Sequence, residues 1–108
     1  MNYATLWPTA MIALSTHPMA MQVLCVYPID AGHTRETIDY YFAEDTTDEQ
    51  IREYKELSDL VQREDVILCE SVQRGLASGV VENGTLMQSR EQGIQHFQRL
   101  VYRFLSAI

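Results

Sequence analysis

Basic residues are scarce: eight Lys and Arg stand against fifteen Asp and Glu, giving a net charge of −7. The few cations are scattered along the chain, whereas a phosphate-binding surface needs them clustered to displace counterions. Nucleic acid is therefore not an expected partner, and without a basic amphipathic face neither is an anionic membrane surface. Cysteine is limited to Cys25 and Cys69, each inside an apolar run, where a free thiol packs as a small hydrophobe and a disulfide is not expected. No apolar run reaches the roughly 18 residues of a membrane span. Residues 1–8 lack the basic region and long apolar core of a secretory signal, so the cytoplasm is the expected compartment. Internal repeats and low-complexity tracts are missing as well.

What remains is an ordinary globular composition, 46% hydrophobic and 21% charged over 108 residues, which sets one domain as the ceiling. A sheet of this size with few covering helices leaves much surface unburied, so a partner chain or self-association is expected. Residues 3–7, 10–15, 21–27 and 33–42 are short runs rich in β-branched or aromatic side chains, and they read as strands. They are separated by Pro8, by Thr16-His17-Pro18 and by Pro28-Ile29-Asp30-Ala31-Gly32. In the last strand Thr34, Glu36, Ile38, Tyr40 and Phe42 share one face and Arg35, Thr37, Asp39 and Tyr41 the other. Such short connections favour antiparallel hairpins.

The pattern changes at residues 44–50. Thr47 followed three residues later by Gln50 is a capping-box signature, with acids where the helix dipole favours them. From Ile51 the chain is free of Gly and Pro until Gly75, predicting one long helix over residues 47–78, with room for a kink before Asp65 and with Gly75 near its C-terminal cap. Residues 79–84 form a connector. Ser89 with Gln92 repeats the capping-box spacing and predicts a second helix over residues 89–107, with Ile94, Phe97, Val101 and Phe104 as its buried stripe.

In the long helix Leu57, Val61, Asp65, Leu68, Val72 and Leu76 follow one another at steps of four, four, three, four and four. Asp65 thus takes a position on the apolar stripe that would otherwise hold a leucine, and its carboxylate is expected to point into the core. An unpaired buried carboxylate is costly, so it must be neutralised, hydrogen-bonded, paired with a cation or bound to a metal. The residues alone leave an ion pair or a cap at a helix break open beside metal ligation.

The run Arg63-Glu64-Asp65-Val66-Ile67-Leu68-Cys69-Glu70-Ser71-Val72-Gln73-Arg74-Gly75-Leu76 is similar to the late-helix signature of Rieske-type non-haem iron oxygenase large subunits. It most resembles the branch acting on quaternary ammonium compounds such as choline and carnitine. Leu6-Trp7-Pro8 with Met11-Ile12, Val26-Tyr27-Pro28 with Gly32-His33-Thr34, and Gly93-Ile94-Gln95-His96-Phe97-Gln98-Arg99-Leu100-Val101 resemble further family segments in the right order. The order of these patterns predicts an α+β fold, an antiparallel sheet of about four strands followed by two helices. By that likeness the chain is the second half of a helix-grip domain of the Bet v 1 or START-related kind: a single partial catalytic domain with strands in 1–43.

In that family a mononuclear Fe(II) is held by two histidines and an aspartate, a facial triad that leaves positions open for oxygen and substrate. Asp65 matches the aspartate. The histidine ligands and the Rieske cluster motifs of the family lie upstream of the segment resembled here. Neither Cys25 nor Cys69 stands in the C-x-H or C-x-x-H spacing that such a cluster requires, so no Rieske cluster is expected in this chain. His17 and His33 fall at predicted turns and His96 on the side of the last helix away from Ile94, Phe97 and Val101, so none is expected as a replacement ligand. The expectation is a portion of an oxygenase catalytic domain, not competent alone, working as a homo-oligomer or with an upstream chain that carries the rest. A small-ligand-binding module of the same fold, lined by Tyr3, Trp7, Tyr27, Tyr40, Tyr41 and Phe42, or a structural assembly partner without metal, is the competing reading.

Overall fold

The computed structural model describes residues 2–80, 83–87 and 89–108. Four strands, β1 (Asn2–Leu6), β2 (Ala10–Thr16), β3 (Met19–Asp30) and β4 (His33–Phe42), precede two helices, α1 (Asp48–Ala77) and α2 (Gln92–Leu105). The strands form an antiparallel meander in the order β1-β2-β3-β4, so the α+β architecture is as the sequence predicts. The chain divides into two compact units, residues 1–64 and 65–108. No helix among the described residues is long and apolar enough to cross a membrane.

Sequence patterning sets the register of the first unit. Tyr3 pairs with Ala13, Ala13 with Gln22 and Gln22 with Tyr40, so one cross-strand row runs over all four strands on a single face. The next row carries Ser15, Ala20 and Phe42. The small side chains Ala13 and Ala20 are buried there, at 2% and 5% exposure. The first half of α1 lies on this face, with Tyr54 and Ser58 directed at it. The Tyr54 ring meets Tyr40 and Phe42 edge-to-face at centroid distances of 6.4 and 5.6 Å, the geometry favoured by aromatic quadrupoles. Beside it Ser58 Oγ accepts hydrogen bonds from Gln22 Nε2 at 3.0 Å and from the Tyr40 hydroxyl at 2.9 Å. Lys55 Nζ stands 5.5 Å from the Tyr40 ring centroid and adds a cation–π contact.

Strand β3 is longer than predicted and continues through Pro28 to Asp30. A proline is tolerated because β3 outruns β2, whose pairing ends at Ala10 opposite Cys25. Val26 directs its N–H to the β2 side, onto the Thr9 carbonyl. Pro28, two residues on, shares that edge, so the donor it lacks would have pointed away from β4.

The helix starts also test the sequence reading. Thr47 and Gln50 form the expected reciprocal box: the Gln50 N–H donates to Thr47 Oγ1 and the Thr47 N–H to Gln50 Oε1. The helix then runs unbroken through Asp65 and through Gly75. The residue that ends it is Gly79, at φ +72°, where the left-handed backbone favours glycine. At the second helix the predicted box does not form. Ser89 and Arg90 lie in a turn whose N–H groups at 90 and 91 reach the Met87 carbonyl, and Glu91 is the N-cap without a side-chain cap bond. The Glu91 carboxylate instead accepts the N–H of Met87, which draws the chain into that turn and delays the helix by three residues.

Tyr54 is the largest side chain in a thin core, and its hydroxyl is buried with no hydrogen-bond partner among the described residues. Tyr54→Ala is expected to cost about 3 kcal/mol in urea unfolding through the lost ring packing. Tyr54→Phe removes only the unsatisfied hydroxyl and is expected to be neutral or to stabilise by up to about 1 kcal/mol. Burial, with Tyr3 and Tyr40 nearby, pushes the Tyr54 phenol above its ordinary value. Its stability contribution is therefore full below about pH 10 and lost as the pH rises through the folded value. The alkaline loss should shrink in Tyr54→Phe, and equal loss in both proteins would refute it.

Candidate functional site

The residue with the strongest chemical claim, Asp65, lies in the middle of α1, and the structure does not bury it. The stripe it belongs to is open along its whole length: Leu57 and Leu68 are each 62% exposed, and Val61, Val72 and Leu76 are exposed too. The expectation of a carboxylate turned into the core is thus corrected. Nothing among the described residues covers this helix face, and a carboxylate in water pays no desolvation penalty that would force a partner on it. Asp65 accordingly has no hydrogen bond and no ion pair among the described residues. The buried stripe predicted for α2 is likewise open, with Ile94, Phe97 and Phe104 exposed and Val101 alone of the four partly buried.

A facial iron site needs three converging ligands. Among the described residues no group of three His, Cys, Asp or Glu side chains comes together to hold a metal. The described residues do not by themselves fit a mononuclear iron, and among them Asp65 offers one donor. His33 is engaged elsewhere, its Nδ1 lying 2.8 and 3.0 Å from the two carboxylate oxygens of Asp30. His17 lies in the exposed β2–β3 turn and His96 on an exposed face of α2. Cys25 and Cys69 are both free thiols, but Cys69 is exposed rather than packed, because the second half of α1 lies open.

Sequence reasoning missed two polar constellations. One is the Gln22, Tyr40 and Ser58 cluster that fixes the first half of α1 on the sheet. A serine four residues after a tyrosine in a helix gives little warning of it, since the partners are 36 and 18 residues away. The other is the tip of the β3–β4 hairpin, where Asp30 Oδ1 accepts the Gly32 N–H at 2.8 Å and pairs with His33. An Asp two residues before a Gly is the sequence signature of such a side-chain turn. Behind this tip Tyr27, Pro28, Ile29, Arg35 and Thr37 line a shallow, open groove, Tyr27 and Arg35 being cross-strand neighbours.

A four-stranded antiparallel sheet followed by two helices is consistent with the catalytic domain of ring-hydroxylating oxygenases. Residues 1–107 match the family of the ring hydroxylating alpha subunit (catalytic domain), and the chain belongs to that family of non-haem iron oxygenases. It is 34% identical over 97 residues to the chloroplastic choline monooxygenase of Spinacia oleracea, covering 88% of this chain and 22% of that protein. Similarity to the carnitine monooxygenase oxygenase subunit of Escherichia coli K12 is 36% identity over 104 residues, covering 89% of this chain and 28% of that protein. The corresponding Acinetobacter baumannii subunit is 34% identical over 109 residues, at 91% and 29% coverage. The chain therefore spans between about a fifth and a third of the length of these relatives. No solved structure is significantly similar to it.

The Gly32 N–H, followed by the His33 side chain, holds the Asp30 carboxyl below the ordinary carboxylate range. A depressed carboxyl contributes to the fold above its unfolded pKa and ceases to do so as the pH falls through the folded value. Asp30 is accordingly expected to titrate below the ordinary aspartate range in a carboxyl-detected NMR titration, with the Gly32 amide shifting in step. An Asp30 that titrates at the ordinary value would show that the turn bond does not persist in solution.

Proposed function

We propose that this chain is a portion of the catalytic domain of an oxygenase in the choline- and carnitine-oxidising branch, and that Asp65 is its contribution to a mononuclear Fe(II) site. The observation that carries the reading is the position of Asp65 inside the run from Arg63 to Leu76, on an α1 face that nothing in its own unit covers. An unpaired carboxylate on an open apolar face is available to a complementary segment that brings the remaining ligands. Such a segment, upstream in the same polypeptide or on another chain, supplies the two histidines and the electron-transfer cluster. Bound iron would supply oxygen activation, and an anionic oxygen donor suits it by offsetting metal charge while leaving positions open. The portion described here holds one ligand and does not turn over alone.

Two measurements test this. The purified chain titrated with Fe(II) is expected to take up no stoichiometric, dialysis-resistant metal; tight binding of one iron per chain would overturn the incomplete-site reading. Second, this chain can replace its matching segment in the Escherichia coli carnitine monooxygenase oxygenase subunit. Metal analysis of the folded chimera is expected to show mononuclear iron that is lost in Asp65→Asn and at least partly kept in Asp65→Glu, with iron retained in Asp65→Asn refuting the ligand role.

A further inference from the structure

The chain holds two asparagines, Asn2 and Asn83, and they stand in opposite surroundings. Asn2 is followed by Tyr3 and lies in β1, where pairing with Leu14 of β2 keeps the backbone extended. Asn83 is followed by Gly84 in the connector between α1 and α2, and both residues are exposed and belong to no helix or strand. Among the described residues neither the Asn83 side chain nor the Gly84 N–H takes part in a hydrogen bond. A Cβ built on Gly84 would meet nothing within 4 Å, so no neighbouring atom crowds this peptide bond.

These are the conditions for a reaction between the asparagine side chain and the backbone that follows it. A bond from the Gly84 nitrogen to Asn83 Cγ closes a five-membered ring. A side chain on the following residue obstructs that closure, and glycine has none. A nitrogen that donates no hydrogen bond can give up its proton, and an exposed amide can rotate towards it. At Asn2 the same closure would have to leave the strand ladder and pass the Tyr3 side chain.

We propose that Asn83 is a site of spontaneous deamidation, a covalent modification of the connector that needs no enzyme. The Gly84 nitrogen, its proton given to hydroxide, attacks Asn83 Cγ. As that N–C bond forms, the bond from Cγ to Nδ2 breaks and Nδ2 leaves as ammonia after taking a proton from water. The resulting succinimide is opened by water at either of its two carbonyls. Opening at Cγ yields an aspartyl residue, and opening at the main-chain carbonyl yields an isoaspartyl residue whose main chain runs through Cγ. In sum an amide and water become a carboxylate and ammonium, with no change of oxidation state. The product adds one negative charge to a chain of net charge −7, and the isoaspartyl form lengthens the link between α1 and α2 by one carbon. The site lies outside the run from Arg63 to Leu76 and does not depend on the iron reading.

Incubation of the purified chain in mildly alkaline buffer, followed by intact mass measurement and peptide mapping, tests it. The expected result is exchange of the amide NH2 for OH at Asn83, with two separable products of equal mass, release of one ammonia per chain, and Asn2 unchanged. The rate is expected to rise with pH, because the deprotonated Gly84 nitrogen is the nucleophile. Gly84→Ala is expected to slow the reaction by at least about five-fold. The native chain is expected to react within about five-fold of the rate of the same chain unfolded in urea, since an exposed connector gives no protection. An unchanged Asn83, a smaller effect of Gly84→Ala, a native chain protected beyond that margin, or reaction at Asn2 ahead of Asn83 would each overturn the proposal.

Discussion

The attachment of α1 to the sheet depends on one small contact region, the Tyr54 ring against Tyr40 and Phe42 with the Ser58 hydroxyl one turn further on. Its parts do different work. The ring supplies apolar burial and dispersion, which tolerate some rotation of the helix about its axis. The hydrogen bonds to Ser58 are directional and come from two different strands, so they fix that rotation. Ala13 and Ala20 are buried on the same face of the sheet.

Much of this was legible in the sequence because it is local. The alternation of Ile38, Tyr40 and Phe42 against Asp39 and Tyr41 is a property of one strand, and the Thr47–Gln50 box is a property of four residues. Both appear as read. The errors arise where a distant or competing group decides. Pro28 looks like a strand break until the register shows that its edge has no neighbour. Ser89 and Gln92 have the spacing of a cap, but the Glu91 carboxylate takes the Met87 N–H and the helix starts later. Asp65 looks buried because helical periodicity assigns it to an apolar stripe, whereas periodicity identifies a face without saying what covers it. The Gln22, Tyr40 and Ser58 cluster was invisible for the same reason, each member being unremarkable by itself.

The chemistry of the family is dispersed in the same way. A site assembled from residues far apart in sequence leaves only fragments of itself in any one segment, and the fragment proposed for this segment, Asp65, is the one with the most distinctive surroundings. An aspartate flanked by Val66, Ile67 and Leu68 on one side and by Val61 on the other is recognisable, whereas a lone histidine in a turn is not. Family membership therefore rests on the whole match over residues 1–107, whereas the role proposed for Asp65 rests on its place in the run from Arg63 to Leu76 rather than on local electrostatics.

Where β3 runs beyond β2, a length of strand is left with one flank unpaired, the kind of feature that recruits foreign strands and seeds aggregation. Pro28 sits in the middle of that flank and offers an incoming strand a ring carbon in place of a hydrogen-bond donor. The hairpin arm can thus project into solvent without acting as a template for cross-β growth, and a protein with so slight a core is spared one of the commoner routes to precipitation.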